Sequence, residues 1–375
     1  MKKYFIKTYG CQMNEHDSET ISWTLENLGY ESTSLLEDAD VFVINSCSVR
    51  QAAEDSVYGL GKRIKNLSRK PFVILAGCFS GSAKGERARI TEKYIRDKAP
   101  WIDAMLAPSE IVNLSKILPN NPNISKISNP AFNGLSKKHA YITISTGCDN
   151  FCSYCVVPYA RKEEVSRPKE EIINEIKNLV KKGVNEFTLL GQNVNSWGLL
   201  KEEKFTIRTG SSKKLPFAGL IREICDIPEV KKVGFLSSNP FDFTEDLIDA
   251  VRHPKVFRYL HIALQSGDDD VLKKMNRRHT AKEYLHLINK IRKSVPDVKI
   301  GTDLIVGFPG ETEAQFKNTV NLCKKIKFAK AYVAMYSPRP GTTAYFMIDD
   351  VPLEVKRRRH SKLLGVIKKI TRNNF

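Results

Sequence analysis

Short apolar runs alternate with helically spaced apolar stripes over the first 120 or so residues. Tyr4–Thr8, Val41–Asn45 (VFVIN) and Phe72–Gly77 (FVILAG) read as strands. Between them, Ile21, Leu25 and Leu28 recur at i, i+4 and i+7 and predict a helix from about Asp17 that stops at Gly29. Ala53, Val57, Leu60, Ile64 and Leu67 lie on one stripe of a second helix. Such alternation argues for an open parallel sheet in an α/β fold. From Tyr141 onward the alternation resumes, with strands expected at Tyr141–Ser145, Glu186–Leu190, Lys231–Leu236, Tyr259–Leu264, Val298–Val306 and Ala331–Tyr336. The clearest intervening helix is Lys169–Lys182, carrying Ile172, Ile176, Leu179 and Val180. Six parallel strands with right-handed crossovers predict an incomplete (β/α)6 barrel rather than the closed eight-stranded form. Pro119–Lys138 is rich in Pro, Asn, Ser and Lys without periodicity and reads as a linker. The expected organisation is therefore an N-terminal open-sheet domain at 1–118, a linker at 119–138, a partial barrel at 139–353 and a basic helix at 354–375. Lys201–Lys214 is polar and charged and reads as a surface excursion.

The cysteines give these elements chemical meaning. In open α/β sheets ligands sit beyond the carboxyl ends of the strands, and Cys11, Cys47 and Cys78 each follow one of the first three strands. Residues 36 and 31 apart in sequence can thereby meet at one sheet edge. They are either three buried cysteines at strand ends or a three-thiolate cluster site. Cys148, Cys152 and Cys155 form a C-x3-C-x2-C motif on the first βα loop of the barrel, the face where such barrels place their active sites. A closed structural zinc site takes four ligands, usually as two separated pairs, and iron–sulfur clusters normally take four thiolates. Three thiolates within eight residues can hold three irons of a cubane and leave the fourth open to chemistry. Cys225 and Cys323 stand alone in helix-like segments and read as core residues.

Length and charge narrow the class. A chain of 375 residues exceeds one ordinary domain. No apolar run approaches the ~20 residues that span a membrane, and Lys7 interrupts the N-terminal apolar stretch, so MKKYFIKTYG is a poor signal peptide. The chain reads as cytoplasmic, where thiols stay reduced. A formal charge of +18 points to a polyanionic partner, nucleic acid first, or to a generally lysine-rich proteome. The last helix carries Lys356, Arg357, Arg358, Arg359, Lys362, Lys368, Lys369 and Arg372 against Glu354, with Leu363, Leu364, Val366, Ile367 and Ile370 on one face. It offers phosphate contacts or simply a solvated basic face.

With these residues in place, the chain resembles the radical S-adenosylmethionine (SAM) methylthiotransferases over nearly its whole length. KTYGCQMNEHDSE (Lys7–Glu19), INSCSVR (Ile44–Arg50) and LAGC (Leu75–Cys78) resemble that family's N-terminal cluster-binding segments. CSYCVVPYARKEEVSRP (Cys152–Pro168), LLGQNVNSWG (Leu189–Gly198), LQSGDDDVLKKMNRRHT (Leu264–Thr280), GTDLIVGFPGETE (Gly301–Glu313) and YSPRPGT (Tyr336–Thr342) resemble its radical SAM domain. The wording QMNEHDSE, VVPY and EEVSRP is closer to the branch that methylthiolates isopentenyl-adenosine in tRNA. Its relatives act on threonylcarbamoyl-adenosine in tRNA or on an aspartate of a ribosomal protein.

The resemblance implies a transferase with SAM and two [4Fe–4S] clusters, one on Cys148, Cys152 and Cys155 and an auxiliary one on Cys11, Cys47 and Cys78. It implies transfer of a methylthio group to carbon 2 of N6-isopentenyladenosine at position 37, in the anticodon stem-loop of tRNA. Gly191, Gln192, Asn193, Gln265, Gly307, Gly310 and Glu311 become candidates for SAM contact, and Tyr159, Arg161 and Arg167 for RNA contact. An electron donor, a sulfur source and a monomeric state are expected with it.

Several positions depart from the family pattern. The family ends in a small RNA-binding barrel of the TRAM type, which is expected to be absent here, since the sequence stops at Phe375 where it would begin. Arg161-Lys162 stands where Arg-Gly is usual after the cluster loop, Phe79-Ser80-Gly81 follows the third N-terminal cysteine where Met-Ala-Gln is expected, and Ser238-Asn239-Pro240 and His261-Ile262-Ala263 replace Ser-His-Pro and His-Leu-Pro. Two other readings stay open: a sister methylthiotransferase activity on threonylcarbamoyl-adenosine tRNA or a ribosomal protein, and a decayed, non-catalytic iron–sulfur protein that associates with RNA.

Overall fold

All six residues of the strand Val41–Ser46 are buried. A strand covered on both faces demands this, which is why it reads as an unbroken apolar run. In the computed structural model, which describes residues 1–119 and 138–374, it is the centre of a five-stranded sheet. That sheet comprises β1 (Lys3–Tyr9), β2 (Glu31–Ser32), β3 (Val41–Ser46), β4 (Phe72–Ala76) and β5 (Ala104–Leu106), in the order β2-β1-β3-β4-β5. Every pairing is parallel, from Tyr4 opposite Val41 to Tyr9 opposite Ser46, and from Val41 opposite Phe72 to Asn45 opposite Ala76. Alternate side chains feed two apolar layers. Phe42, Ile44, Leu75 and Phe79 lie in one, and Val43, Ile74, Ile21 and Leu25 in the other. Strands β2 and β5, two and three residues long, are too short to register as apolar runs.

The first helix is Gln12–Asn27 and starts directly after Cys11, not at Asp17. Its first turns are buried with polar side chains, so the apolar stripe does not reveal them. Asn14 Nδ2 donates to Asn45 Oδ1 at 3.1 Å, and Asn45 Nδ2 donates to the Asn14 carbonyl at 2.8 Å. Burial of satisfied amides takes the place of apolar packing there. The second predicted helix is two, Gln51–Gly59 and Gly61–Lys65, broken at Leu60 between two glycines.

The barrel strands are His139–Thr143, Glu186–Leu190, Lys232–Phe235, Tyr259–His261, Lys299–Val306 and Lys330–Met335. The first three pair in parallel, as do the last three. A parallel bridge between Ser238 and Ile262 joins the two sets, with Ala263 N donating to the Ser238 carbonyl at 3.1 Å. Spatial order thus follows chain order around an incomplete (β/α)6 barrel. The strand expected to run to Leu264 stops at His261. Gln265 there adopts a positive φ of 72° and bridges to Leu304.

The described residues divide into two units. One comprises 1–119, Thr146–Asn150 and Cys155–Glu164, the other 138–145, Phe151–Tyr154 and 165–374. The linker expected at 119–138 lies, apart from its end residues, outside the described residues. The excursion at 201–214 is anchored: Leu199, Ile207 and Leu215 form a small apolar cluster, and Lys204, closing the helix Lys201–Lys204, is buried. In the terminal helix Leu353–Asn374, Leu363 and Ile367 are buried as the stripe predicts. Lys356 and Arg359 are buried as well, so two of its eight basic residues turn inward. Cys225 and Cys323 lie in the core. Among the described residues no helix is long and apolar enough to cross a membrane.

Candidate functional site

Cys11, Cys47 and Cys78 follow β1, β3 and β4, which are neighbours in the sheet. Adjacent strands lie about 4.8 Å apart, so the sheet itself sets the three cysteines side by side along one edge. Cys47 and Cys78 are buried and Cys11 is exposed. Burial pushes the Cys47 thiol above its ordinary range, and the nearby Cys11 adds to this. Burial pushes the Cys78 thiol up to about 12; the Arg161 guanidinium pulls the other way, while Cys47 and Cys11 raise it further.

Glycine makes the edge possible. Gly77 has φ of 86°, and a Cβ there would fall 2.1 Å from Asn45 Oδ1. Two of the sulfurs accept N–H groups: Val49 N donates to Cys47 Sγ at 3.3 Å, and Arg161 Nε to Cys78 Sγ at 3.1 Å. Donors aimed at sulfur favour thiolates, the form that binds iron. Among the described residues no three His, Cys, Asp or Glu side chains converge on a single metal ion. A multi-iron cluster makes no such demand, because each thiolate takes a different iron.

The residues of the C-x3-C-x2-C loop are divided between the two units. In the first, Gly147 has φ of 77° and would place a Cβ 1.7 Å from the Glu163 carbonyl, and Cys148 N donates to the Lys162 carbonyl at 3.1 Å. Cys148 is buried, and its sulfur accepts Asn150 Nδ2 at 3.5 Å. Cys155 is half-buried. In the second unit, Ser153 Oγ and N donate to the carbonyls of Lys274 and Met275 at 2.8 and 3.1 Å. There Arg277, in the stretch NRRHT, places Nη1 3.4 Å from Cys152 Sγ and donates to the Ala263 carbonyl at 2.9 Å. Neither Arg277 nor the Arg161–Cys78 contact stood out in the sequence. The only signal was a cation following a short helix near a cysteine motif.

At the carboxyl ends of the barrel strands, the SAM candidates separate into two groups. Gly191, Gln192 and Asn193 follow the strand Glu186–Leu190. A Cβ on Gly191 would meet Ser145 Oγ at 2.4 Å, so the glycine permits close approach of two strand ends. Gln192 Oε1, Asn193 Oδ1, Ser145 Oγ and Ser238 Oγ are buried without hydrogen-bond partners, although Asn193 Nδ2 donates to Asp242 Oδ2 at 2.8 Å. Buried polar atoms left unpaired at strand ends are what a polar ligand satisfies. The second group is already engaged within the fold. Gly307 N donates to Glu311 Oε2 at 2.7 Å, and Arg359 Nη1 lies 2.9 Å from the same oxygen. Gly310 N donates to Asp350 Oδ1 at 2.6 Å. Gln265 uses its backbone N–H and carbonyl to pair with Asp303 and Ile305.

The RNA candidates also change. Arg161 is buried, paired with Asp17 and with Cys78, so its guanidinium is spent inside the fold rather than offered to a base. Arg167 donates to the Thr143 carbonyl at 2.7 Å and pairs with Glu175 at 2.8 Å, which ties it to the helix Lys169–Lys181. Tyr159 is half-buried.

The Radical SAM superfamily matches residues 142–323, and the family described as Uncharacterized protein family UPF0004 matches residues 3–99. A tRNA-2-methylthio-N(6)-dimethylallyladenosine synthase of Clostridium novyi is 40% identical over 385 residues, spanning 98% of this chain and 82% of that protein. One from Thermotoga petrophila is 40% identical over 380 residues, spanning 99% and 82%. Among solved structures, the radical S-adenosylmethionine methyltransferase TsrM from Kitasatospora setae, with cobalamin and a [4Fe-4S] cluster bound, aligns at a TM-score of 0.58 and 12% identity. It covers 92% of this chain and 74% of that one, a likeness of fold. The sheet, the partial barrel and these matches define a radical SAM enzyme, a transferase. Within that class, the chain belongs to the methylthiotransferase family of the tRNA-2-methylthio-N(6)-dimethylallyladenosine synthases.

Proposed function

We propose that this chain attaches a methylthio group to carbon 2 of the N6-isopentenylated adenosine at position 37 of tRNA. The observation that carries this reading is the trio Cys11, Cys47 and Cys78 at the ends of adjacent strands, separate from the C-x3-C-x2-C loop. Two thiolate trios match a reaction that needs both a radical source and a sulfur donor. Cys148, Cys152 and Cys155 would hold one [4Fe–4S] cluster, and Cys11, Cys47 and Cys78 the other. When bound, these groups and SAM supply the 5′-deoxyadenosyl radical and the methylated sulfur.

The chain's own residues bind, orient and exclude water. Gln192 and Asn193, with unpaired buried oxygens, are suited to accept hydrogen bonds from the polar ends of SAM, with Ser145 and Ser238 beside them in the same unit. Arg277 holds the Cys152 sulfur from one side. Glu311, neutralised by Arg359, shapes the Gly307–Glu311 turn instead of reaching a ligand. The exposed Arg357, Arg358, Lys362, Lys368 and Lys369 of the terminal helix would meet tRNA phosphates, and the half-buried Tyr159 would stack on a loop base. A cytoplasmic monomer with an external low-potential electron donor and a sulfur source completes the reading.

The test is mass spectrometry of nucleosides after an anaerobic reaction of reconstituted protein with SAM, reductant, sulfide and an isopentenylated anticodon stem-loop. Formation of 2-methylthio-N6-isopentenyladenosine is expected. 5′-Deoxyadenosine without that product would overturn the substrate assignment, and absence of both would overturn the enzymatic reading.

A further inference from the structure

Arg161 and Asp17 are 144 residues apart in sequence and meet inside the N-terminal unit. The Arg161 side chain is 3% exposed and that of Asp17 9%. The guanidinium has two tasks there. Nη2 pairs with the Asp17 carboxylate, and Nε donates to Cys78 Sγ at 3.1 Å. Arg161 is kept at that sulfur by its surroundings. It follows the short helix Val157–Ala160, whose end abuts the helix Cys78–Gly81. A Cβ on Gly81 would fall 2.1 Å from the Ala160 carbonyl, so only glycine allows the approach. Lys162 then donates its ammonium to the carbonyls of Gly81, Lys84 and Tyr159, fastening the loop on the far side.

We propose that the Arg161–Asp17 pair sets the reduction potential of the cluster held by Cys11, Cys47 and Cys78, acting through the Cys78 sulfur. The inference rests on that cluster assignment. One-electron reduction adds one negative charge to the cluster, with the electron supplied by a low-potential one-electron donor. No bond forms or breaks and no proton need move. A hydrogen bond to sulfur and a nearby positive charge favour the reduced state, because cluster potentials follow net charge and hydrogen bonding at the sulfurs. Burial strengthens both effects. Asp17 opposes them, since its carboxylate offsets the guanidinium. Arginine and aspartate thus push in opposite directions on one sulfur, and the pair as built leaves the hydrogen bond with little net charge.

The test uses the full chain, reconstituted anaerobically, with Cys148, Cys152 and Cys155 replaced by alanine so that one cluster remains. Iron is quantified, and the potential is read by a spectroscopic titration with dithionite. In this background Asp17→Asn leaves the guanidinium unbalanced, and the expected result is easier reduction, about tenfold in the equilibrium or ~59 mV upward. Arg161→Met combined with Asp17→Asn removes the donor without stranding a buried charge, and the expected shift is downward by a similar amount. Opposite shifts at unchanged iron content support the proposal, since a merely structural pair would not give two signs. Equal potentials, shifts of the same sign, or loss of iron from both variants would overturn it. No iron in the unmodified-pair background would instead overturn the cluster assignment itself.

Discussion

The guanidinium of Arg359 lies 2.9 Å from the carboxylate of Glu311, and the two side chains are 5% and 1% exposed. The pair joins the turn Gly307–Glu311 to the terminal helix, within one unit. Burial alone raises the Glu311 carboxyl above its ordinary range, against which the Gly307 N–H and Arg359 stabilise the charged form. Removing one partner of a buried pair strands the other, at a cost of about 3–5 kcal/mol. Arg359→Leu is therefore expected to lower the urea midpoint sharply, and adding Glu311→Gln to recover most of the loss. Equal instability of the single and double variants would show that Arg359 acts through packing.

Lys162 occupies a left-handed backbone position, φ 66°, where the resembling family places glycine. The conformation costs a non-glycine residue roughly 1–2 kcal/mol, yet the ammonium donates to three carbonyls, among them Tyr159 at 2.7 Å and Gly81 at 3.1 Å. Charge-assisted bonds contribute about 1.5–3 kcal/mol each at most, so the bonds outweigh the strain. Lys162→Gly should lose about 1–2 kcal/mol, and Lys162→Ala more, because alanine keeps the strain and loses the bonds. Denaturant titration of both variants checks the order; a more stable glycine variant would reverse the argument.

Gln192 Oε1 makes no hydrogen bond within the fold. Gln192→Ala should then leave stability and iron content nearly unchanged while weakening SAM binding about tenfold, the effect of losing one good hydrogen bond in a closed site. Equilibrium dialysis with SAM on reconstituted protein reads this directly. Unaltered affinity would remove Gln192 from the SAM site.

Cys47→Ala removes the middle cysteine of the sheet edge. Two clusters of equal size predict that reconstituted iron falls by about half, with the Cys148–Cys155 loop unaffected. Full iron retention in the variant would return Cys11, Cys47 and Cys78 to plain burial at strand ends.

What could be read in advance follows the physics of each element. Val41–Ser46 was legible because a strand buried on both faces has no polar positions to confuse the pattern. The placement of Cys11, Cys47 and Cys78 just past three strands was legible because strand ends are local properties. The start of the helix Gln12–Asn27 was hidden, since Asn14 and Asp17 are buried through partners at Asn45 and Arg161 that lie far along the chain. Arg161 read as a free cation for the same reason: its burial depends on a carboxylate 144 residues away. Periodicity records which side chains avoid water, not which polar groups have found each other. The inward turn of Lys356 and Arg359 in an otherwise basic helix belongs to that second category.

Glu19 gives the chain a pH dependence of predictable sign. It lies in the helix Gln12–Asn27, and both carboxylate oxygens are buried without a hydrogen-bond partner. Burial pushes its carboxyl up from 4.5 to about 7, and the neighbouring Glu15 adds to the shift. Below 4.5 the group is protonated in the folded and unfolded chain alike and has no effect. Between 4.5 and about 7 the unfolded chain has released the proton that the folded chain keeps, so stability falls as pH rises. Above that window the penalty is complete; for a partly exposed group it amounts to about 1–2 kcal/mol after discounting for solvent screening. Glu19→Gln should therefore stabilise the N-terminal unit at pH 8 and leave it unchanged at pH 4. Urea titrations followed by the fluorescence of Trp23, on the same helix, measure both arms. A variant with the pH profile of the parent protein would place the titrating group elsewhere.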